Sequence, residues 1–324
     1  MNILITGGAG YIGSHVALTF LDKGHRVTIV DNLITGTLEV VPKKAFFLKA
    51  DISDSKKISN LLKENNFDLI MHFAGLVKVE ESIKFPEKYK FNNIEKTKLF
   101  FETCLKFGLN KVIFSSTAGL YGQTNNHFKV SEQDSLRPLN PYAETKLEIE
   151  KHLTTNLKKK IRYTILRYFN VAGADDRQRS GYTTKNSNNL IKVVCELATS
   201  KIDKIIINGN DYDTKDGSPV RDFIHVSDLA EIHLIAAENL LKEDSSEIYN
   251  CGYGYGYSVK EVIFEMERII NHKLKFEFGP RREGDISYSV SDSQKFYKKF
   301  NWHPKYNNLN YILKSALDWE KKMR

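Results

Sequence analysis

The chain has 324 residues, of which 41% are hydrophobic and 27% charged, with 19 Gly and 7 Pro. This composition is typical of a folded globular protein and excludes a disordered or collagen-like chain. The 48 Lys and Arg against 40 Asp and Glu give a net charge of +8, which would suit an anionic ligand. At about 150 residues per domain, the length predicts two domains.

Cysteine usage and hydropathy bear on the compartment. Cys104, Cys195 and Cys251 are odd in number and form no CxxC pattern, so we expect neither disulfides nor a metal site. The chain begins on a strand-like apolar run, and no run approaches the ~18 apolar residues of a membrane span. No nucleic-acid motif and no extended basic stripe interleaved with aromatic residues appears. We therefore expect a cytoplasmic protein with no membrane or nucleic-acid partner.

The first half alternates short β-branched runs with amphipathic segments of helix length. Residues 2–6, 26–30, 45–50, 68–73, 111–115 and 162–166 are predicted strands, and residues 10–23, 55–65, 86–107 and 141–157 are predicted helices. Asp54 is the expected N-cap of the second helix. This alternation predicts an α/β fold with a doubly wound parallel sheet of the Rossmann type.

From about Ala172 the alternation gives way to a polar stretch and then to irregular strands and helices. This change predicts a second, smaller α/β domain that binds the substrate. We assign residues 1–171 to a dinucleotide-binding domain, which also receives the segment near 222–250. Residues 172–324 are assigned mainly to the substrate-binding domain.

Three glycines, Gly7, Gly10 and Gly13, follow the first predicted strand in the pattern G-x-x-G-x-x-G. Glycines here permit a tight turn and let a pyrophosphate approach the backbone at the start of a helix. Asp31 ends the second predicted strand, where a carboxylate can bind a ribose 2′-OH and would repel a 2′-phosphate. The pattern predicts NAD rather than NADP, with a turn role for Asp31 and Asn32 as the alternative.

Tyr142 and Lys146 lie four residues apart on a predicted helix, so one turn places them on the same face. An ammonium beside a phenol favours the phenolate, which predicts a proton-transfer site; exposed surface residues are the alternative. Thr117 ends the fifth predicted strand and is expected to hydrogen-bond the reacting hydroxyl or to cap a backbone group. Asp51, after the third strand, could bind the adenine or cap the next helix.

These residues resemble the extended short-chain dehydrogenase/reductase superfamily and, within it, the UDP-glucose 4-epimerase family. The matching stretches are residues 7–15, 115–122, 140–146, 166–170, 189–190, 209–226 and 280–285. The resemblance implies that a Tyr142 phenolate removes the proton of the sugar 4-hydroxyl while hydride leaves C4 for NAD. The resulting 4-keto sugar then turns over and takes the hydride back on its other face. A homodimer is also implied, with helices 86–107 and 141–157 of both copies forming a four-helix bundle.

The resemblance assigns binding residues as well as catalytic ones. Those implied for NAD are Gly7, Gly10, Tyr11, Ile12, Gly13, Asp31, Asn32, Asp51, Ile52, Phe73, Ala74, Gly75, Asn92, Ser115, Tyr142, Lys146 and Tyr168. Those implied for the UDP-sugar are Thr117, Tyr142, Asn170, Asn189, Leu190, Arg221, Arg282, Asp285 and Ser289. The arginines are expected to face the pyrophosphate, and Asp285 the ribose hydroxyls.

Two positions depart from a common family pattern. Val77 stands where many members have a lysine that helps to hold the cofactor. Ser289 stands where some members have a bulky tyrosine, which predicts that the N-acetylated pair UDP-GlcNAc/UDP-GalNAc is accepted too. Tyr288, next to it, could fill the same space.

Several other functions remain open from the sequence. A dedicated UDP-N-acetylglucosamine 4-epimerase is one alternative. A nucleotide-sugar dehydratase would need two carboxyl residues after Thr117, where the chain has Ala118 and Gly119. A nucleotide-sugar decarboxylase matches the later motifs less well. An NAD-sensing regulator is disfavoured because Tyr142 and Lys146 are both present.

Overall fold

The computed structural model describes residues 1–123, 129–184, 187–243, 245–282 and 284–323. The strands are β1 (Asn2–Thr6), β2 (Arg26–Asp31), β3 (Phe46–Lys49), β4 (Leu69–His72), β5 (Lys111–Thr117), β6 (Arg162–Tyr168), β7 (Asn170–Ala172), β8 (Ile205–Asn208), β9 (Val220–His225), β10 (Glu247–Cys251), β11 (Gly256–Ser258), β12 (Phe276–Gly279) and β13 (Tyr288–Ser289). The α-helices are α1 (Tyr11–Asp22), α2 (Ser55–Glu64), α3 (Val79–Lys84), α4 (Pro86–Lys90), α5 (Lys96–Lys106), α6 (Pro141–Lys151), α7 (Leu190–Ala198), α8 (Val226–Glu243), α9 (Val259–Ile270), α10 (Gln294–Phe300) and α11 (Leu309–Lys322).

Residues 1–120, 136–167 and 230–249 form the first of two compact units. Its centre is a seven-stranded sheet in the order β10-β6-β5-β4-β1-β2-β3. Strand β1 pairs in parallel with both β2 and β4, so that Ile5 lies beside Ile29 on one side and Met71 on the other. The chain therefore builds the sheet outward from β1 in both directions, which confirms the predicted doubly wound fold.

The hydrophobic runs of the sequence form the core of this unit. Leu4, Ile70, Val112 and Ile165 are buried along neighbouring strands and pack with helix residues such as Phe100. All six predicted strands are present, and the inner ones are buried, as their apolar runs indicate, whereas the edge strand β3 is partly exposed. The ends of β5 and β6 lie two residues beyond the predicted ends.

The two long predicted helices each contain a π-helical turn. The predicted helix 86–107 consists of α4, the π-turn Phe91–Glu95 and α5. The predicted helix 141–157 consists of α6 followed by the π-turn His152–Asn156. A π-turn leaves the apolar pattern nearly helical, so sequence periodicity does not reveal it. Helix α3 was not predicted.

Residues 121–135, 168–229 and 250–324 form the second unit. Strand β9 is central to its larger sheet and pairs with β7, β11 and β13, while β8 and β12 form a separate parallel pair. Its core contains Ile191, Val194, Ile263 and Leu313 from helices α7, α9 and α11. Residues 168–171 belong to this unit, although the predicted domain boundary lies at residue 171.

Among the described residues, no helix combines the length and the apolar character that crossing a membrane requires.

Candidate active site

The turn between β1 and α1 requires glycine. Gly7 has a φ of +73°, and a Cβ added there would lie 2.6 Å from the backbone nitrogen of Ala74. Helix α1 begins after Gly10, which has no side chain to cap the first helical N–H groups. Those N–H groups and the helix dipole suit a phosphate, so this turn fits the pyrophosphate of a dinucleotide.

The Asp31 carboxylate supports this turn from the end of β2. It accepts hydrogen bonds from the backbone N–H of Ala9 at 3.0 Å and of Leu33 at 2.8 Å. Burial raises the pKa of Asp31, while the two backbone bonds lower it. Each carboxylate oxygen keeps a second lone pair, so a ribose hydroxyl can bind without displacing either backbone partner. The turn role and the predicted ribose role are therefore compatible.

Asp51 lies in a polar cluster whose cationic member was not predicted. Lys96 donates to Asp51 Oδ2 at 2.7 Å and Asn32 Nδ2 donates at 2.9 Å, while Ser53 binds the other oxygen. Burial opposes ionisation, but these bonds hold the pKa of Asp51 well below its usual range. Asp54 is the N-cap of α2, as predicted. The alternative that Asp51 caps this helix is therefore wrong.

The segment after β4, residues 73–76, is held by a buried asparagine that sequence reasoning missed. Asn93 accepts from Leu76 N at 2.8 Å and donates to Leu76 O at 2.9 Å. It also donates to Thr145 Oγ1 on α6 at 3.2 Å. The predicted cofactor residue Asn92 donates to Asn93 Oδ1 at 3.0 Å. The two asparagines lie in the first π-turn. In the sequence, only the position of Asn93 next to the predicted cofactor residue Asn92 could have pointed to it.

The other residues predicted for the cofactor lie at the ends of elements. Tyr11 and Ile12 begin α1, and Ile52 follows β3 and is buried. Tyr168 is the last residue of β6 and the first residue of the segment 168–229, which belongs to the second unit. The ring of Phe73, just after β4, packs against His233 with 5.1 Å between centroids.

The predicted catalytic residues come together at the carboxyl end of β5. The Tyr142 phenol lies near the Thr117 side chain, which acts on its pKa, and the Thr117 hydroxyl accepts from the backbone N–H of Gly119 at 3.1 Å. Lys146 Nζ donates to the backbone oxygen of Ser115 at 2.8 Å and lies 5.0 Å from the Phe114 ring centroid. Helix α6 therefore presents the phenol and the ammonium toward the same strand end, where parallel sheets bind ligands.

Burial dominates the electrostatics of this group. It raises the pKa of Tyr142 to about 12, although the nearby Thr117 side chain acts in the opposite direction. It also lowers the pKa of Lys146 to about 8, against the attraction of Glu150. Burial therefore outweighs the other effects on the Tyr142 pKa, and the lowering by Lys146 that is expected from the sequence stays a prediction.

In the second unit, Arg221 on β9 forms an ion pair with Asp285. Ser289 on β13 and Tyr257 on β11 are the register partners of Arg221 on the two sides of β9. Asn170, which begins β7, lies in register with Phe223 of β9. Four residues that are far apart in the sequence therefore share one small sheet.

The remaining residues predicted for the UDP-sugar have local structural roles. Asn189 is the N-cap of α7 and accepts from Lys192 N at 3.2 Å, and Leu190 is the first residue of that helix. Arg282 is exposed. Its Nε donates to the side-chain oxygen of Asn208 at 3.0 Å when the Asn208 amide is turned so that its oxygen faces donors and its nitrogen faces acceptors. A capping asparagine keeps its N–H₂ group free to donate, so its structural role is compatible with ligand binding.

A glycine turn, an acidic residue after the second strand and a Tyr-x-x-x-Lys helix on a doubly wound sheet define a dinucleotide-dependent enzyme. Residues 3–252 match the family described as "NAD dependent epimerase/dehydratase family". The chain belongs to this family.

Full-length relatives include several UDP-glucose 4-epimerases. That of Halalkalibacterium halodurans is 39% identical over 323 residues, which is 99% of this chain and 96% of that protein. The solved UDP-Glc/GlcNAc 4-epimerase of Campylobacter jejuni is 44% identical, with a TM-score of 0.85 and 99% of each chain covered. The UDP-glucose-4-epimerase of Stenotrophomonas maltophila, solved with NAD and formylated UDP-arabinopyranose, is 33% identical, with a TM-score of 0.95 and coverage of 100% and 98%. The predicted resemblance is confirmed.

Proposed function

We propose that this protein is an NAD-dependent UDP-glucose 4-epimerase that interconverts UDP-glucose and UDP-galactose. The observation that carries the proposal is the grouping of the Tyr142 phenol and the Thr117 side chain at the carboxyl end of β5, with Lys146 one helical turn from Tyr142. A phenol and a hydroxyl at that place can move the proton of a sugar hydroxyl. Full-length similarity to UDP-glucose 4-epimerases supplies the substrate class.

The residues around the glycine turn fit NAD. Gly7 and Gly10 would lie against the pyrophosphate at the start of α1, and Asp31 would accept from the adenosine ribose. When bound, NAD supplies a hydride acceptor and, after the sugar has turned, a hydride donor. Net redox change over one turnover is therefore zero.

In the proposed reaction, Tyr142 Oη takes the proton of the sugar 4-hydroxyl as the C4–H bond breaks, and later returns it to O4 of the epimer. Thr117 hydrogen-bonds the reacting oxygen and keeps it aligned with the phenol. The Lys146 ammonium stabilises the phenolate. Arg221 and Arg282 bind the pyrophosphate and Asp285 the ribose, so that the UDP portion carries the affinity while the hexose turns over.

The test is conversion of UDP-galactose by the purified protein, with products identified by NMR. Tyr142→Phe removes the proton acceptor and keeps the ring, so we expect a loss of activity of about 100-fold or more. Tyr249→Phe, a core substitution in the same unit, is the matched control and should remain active. Full activity of Tyr142→Phe would overturn the proposed mechanism, and no conversion by the wild type would overturn the proposed reaction.

We propose that UDP-GlcNAc and UDP-GalNAc are substrates as well. Ser289 is in register with Arg221, whereas Tyr288 is in register with Val220. Successive residues of a strand point to opposite faces, so Tyr288 does not occupy the space beside Ser289. The 44% identity to a UDP-Glc/GlcNAc 4-epimerase supports this proposal.

The substrate range is tested by comparing turnover of UDP-galactose and UDP-GalNAc. Ser289→Tyr should reduce turnover of UDP-GalNAc and spare that of UDP-galactose, while Ser289→Ala should leave both unchanged. Wild-type protein that converts UDP-galactose but not UDP-GalNAc would contradict the proposal.

We also propose a homodimer formed through the helical segments 86–107 and 141–157. Phe91, Leu99 and Phe107 are apolar and exposed on the first of these segments. A second copy of the chain would bury them. Light scattering should give twice the mass of 37.2 kDa, and Phe91→Glu should reduce it. Phe46→Glu, an exposed phenylalanine on β3, is the control and should not.

The cytoplasmic location remains a proposal. It is supported by the cysteines Cys104, Cys195 and Cys251, which are buried as free thiols.

A further inference from the structure

A buried ion pair lies directly behind the catalytic helix. The carboxylate of Glu150, on α6, accepts from Arg167 Nε at 3.0 Å and from Arg167 Nη2 at 2.7 Å. Both side chains are only 4% exposed. Ser116 on β5 donates a third hydrogen bond to the same carboxylate. A bidentate arginine and a hydroxyl therefore fix the Glu150 carboxylate in one orientation.

Glu150 is one helical turn beyond Lys146, which places their Cβ atoms about 5–6 Å apart. Lys146 is buried, and its ammonium donates to Ser115 O and faces the Phe114 ring. A buried ammonium loses its hydration and tends to release its proton. A fixed carboxylate at this spacing counteracts that tendency.

The other groups near Lys146 do not take over this role. Tyr142 is a neutral phenol at neutral pH because its pKa is raised to about 12. Burial lowers the pKa of His72, on β4, to about 3, so its ring is neutral, and it is bonded to Thr6 and Thr97. On the far side, Glu150 faces Arg167 and the Tyr163 phenol of β6.

We propose that Glu150 is a positioning residue that keeps Lys146 protonated and directed at β5, with Arg167 and Ser116 fixing the Glu150 carboxylate. Because the Lys146 ammonium stabilises the Tyr142 phenolate in the proposed function, this inference rests on that function for its effect on catalysis. Glu150 is buried on the helix that carries Tyr142 and Lys146, so the charge of its carboxylate acts through low-dielectric surroundings.

A purely structural role for the pair is the competing explanation, and three variants distinguish the two. Glu150→Gln removes the negative charge, Arg167→Met removes the positive charge, and Glu150→Met with Arg167→Met removes both. The double variant leaves no buried charge unpaired, so it folds even if Glu150→Gln does not. Glu320→Gln is the matched control, because Glu320 is a buried carboxylate paired with Lys192 and Lys201 in the second unit.

The first measurement is the Lys146 titration, followed by NMR in protein labelled with ¹³C at lysine Cε and assigned by the missing signal of Lys146→Arg. The Lys146 pKa should fall by about one unit in Glu150→Gln and in the double variant. It should not fall in Arg167→Met or Glu320→Gln. An unchanged pKa in the double variant, or a fall in Arg167→Met as large as in Glu150→Gln, would overturn the proposal.

The second measurement is the pH profile of epimerisation. The Lys146 ammonium is lost as pH rises through its pKa, so the fall in kcat on the alkaline side should begin about one pH unit lower in Glu150→Gln. The KM for the UDP-sugar should change little. Absence of epimerase activity in the wild type would refute the proposed function, while the NMR titration would still decide the role of Glu150.

Discussion

Replacing Gly7 by alanine tests the structural reason for the glycine turn. Two costs are expected: one from the backbone dihedral, because φ is +73°, and one from the added Cβ, which would lie 2.6 Å from Ala74 N. The left-handed conformation costs an L-residue about 1–2 kcal/mol. Forcing an extra methyl into packed backbone adds about 1–3 kcal/mol. The free energy of unfolding should therefore fall by roughly 2–5 kcal/mol.

Gly24 provides a control that isolates the dihedral cost. Its φ is +79°, but a Cβ there would have no heavy atom within 4 Å. Gly24→Ala should therefore cost only about 1–2 kcal/mol. Urea unfolding of both variants gives the difference, which is the cost of the close approach between the glycine turn and the segment after β4.

The same pair of variants tests the cofactor site. Displacing the backbone at Gly7 moves the helix start that is proposed to bind the pyrophosphate, so Gly7→Ala should lose NAD, measured as nucleotide bound after gel filtration. Gly24→Ala should retain it. Equal losses of stability in the two variants, or full NAD content in Gly7→Ala, would refute the reasoning.

Three further predictions concern stability. The depressed pKa of Asp51 means that its ion pair contributes its full stabilisation above the unfolded-state pKa of about 4, and that this contribution declines as pH falls from there toward the lower folded-state pKa. Urea unfolding of Asp51→Asn should therefore show a deficit at pH 7 that shrinks by pH 3; a constant deficit would contradict this. Asn189→Ala removes the α7 cap and should lower the free energy of unfolding by about 1 kcal/mol. If Asn189 also binds the UDP-sugar, the same variant should have a raised KM for it. Leu153→Ala, in the core, should cost about 2–5 kcal/mol by urea unfolding, and a loss below 1 would refute close packing there.

Much of the first unit follows from local sequence alone. Continuous β-branched runs predict buried parallel strands, the three spaced glycines predict the nucleotide turn, and the spacing of Tyr142 and Lys146 places them on one helical face. These features depend on residues that are close in the chain, so their geometry is fixed by the helix and strand repeats.

The basic net charge did not identify the ligand. The arginine predicted to bind the ligand, Arg221, forms an ion pair with Asp285. It lies on β9, the central strand of a sheet that joins segments far apart in the chain. The same sheet decides that Ser289, and not Tyr288, shares a face with Arg221. Register between strands far apart in the chain is set by tertiary packing, which single-sequence patterns do not contain.

The sequence by itself therefore determined the fold class and the glycine turn, and it placed Tyr142 and Lys146 as a pair on one helical face. Only the tertiary structure decided the electrostatics around that pair. Burial raises the pKa of Tyr142 and lowers that of Lys146, and Glu150 of α6, which acts in the opposite direction on Lys146, is ion-paired with Arg167 of β6. The physical reason is that a pKa depends on burial and on charges brought close in space, and both arise only when the chain is packed.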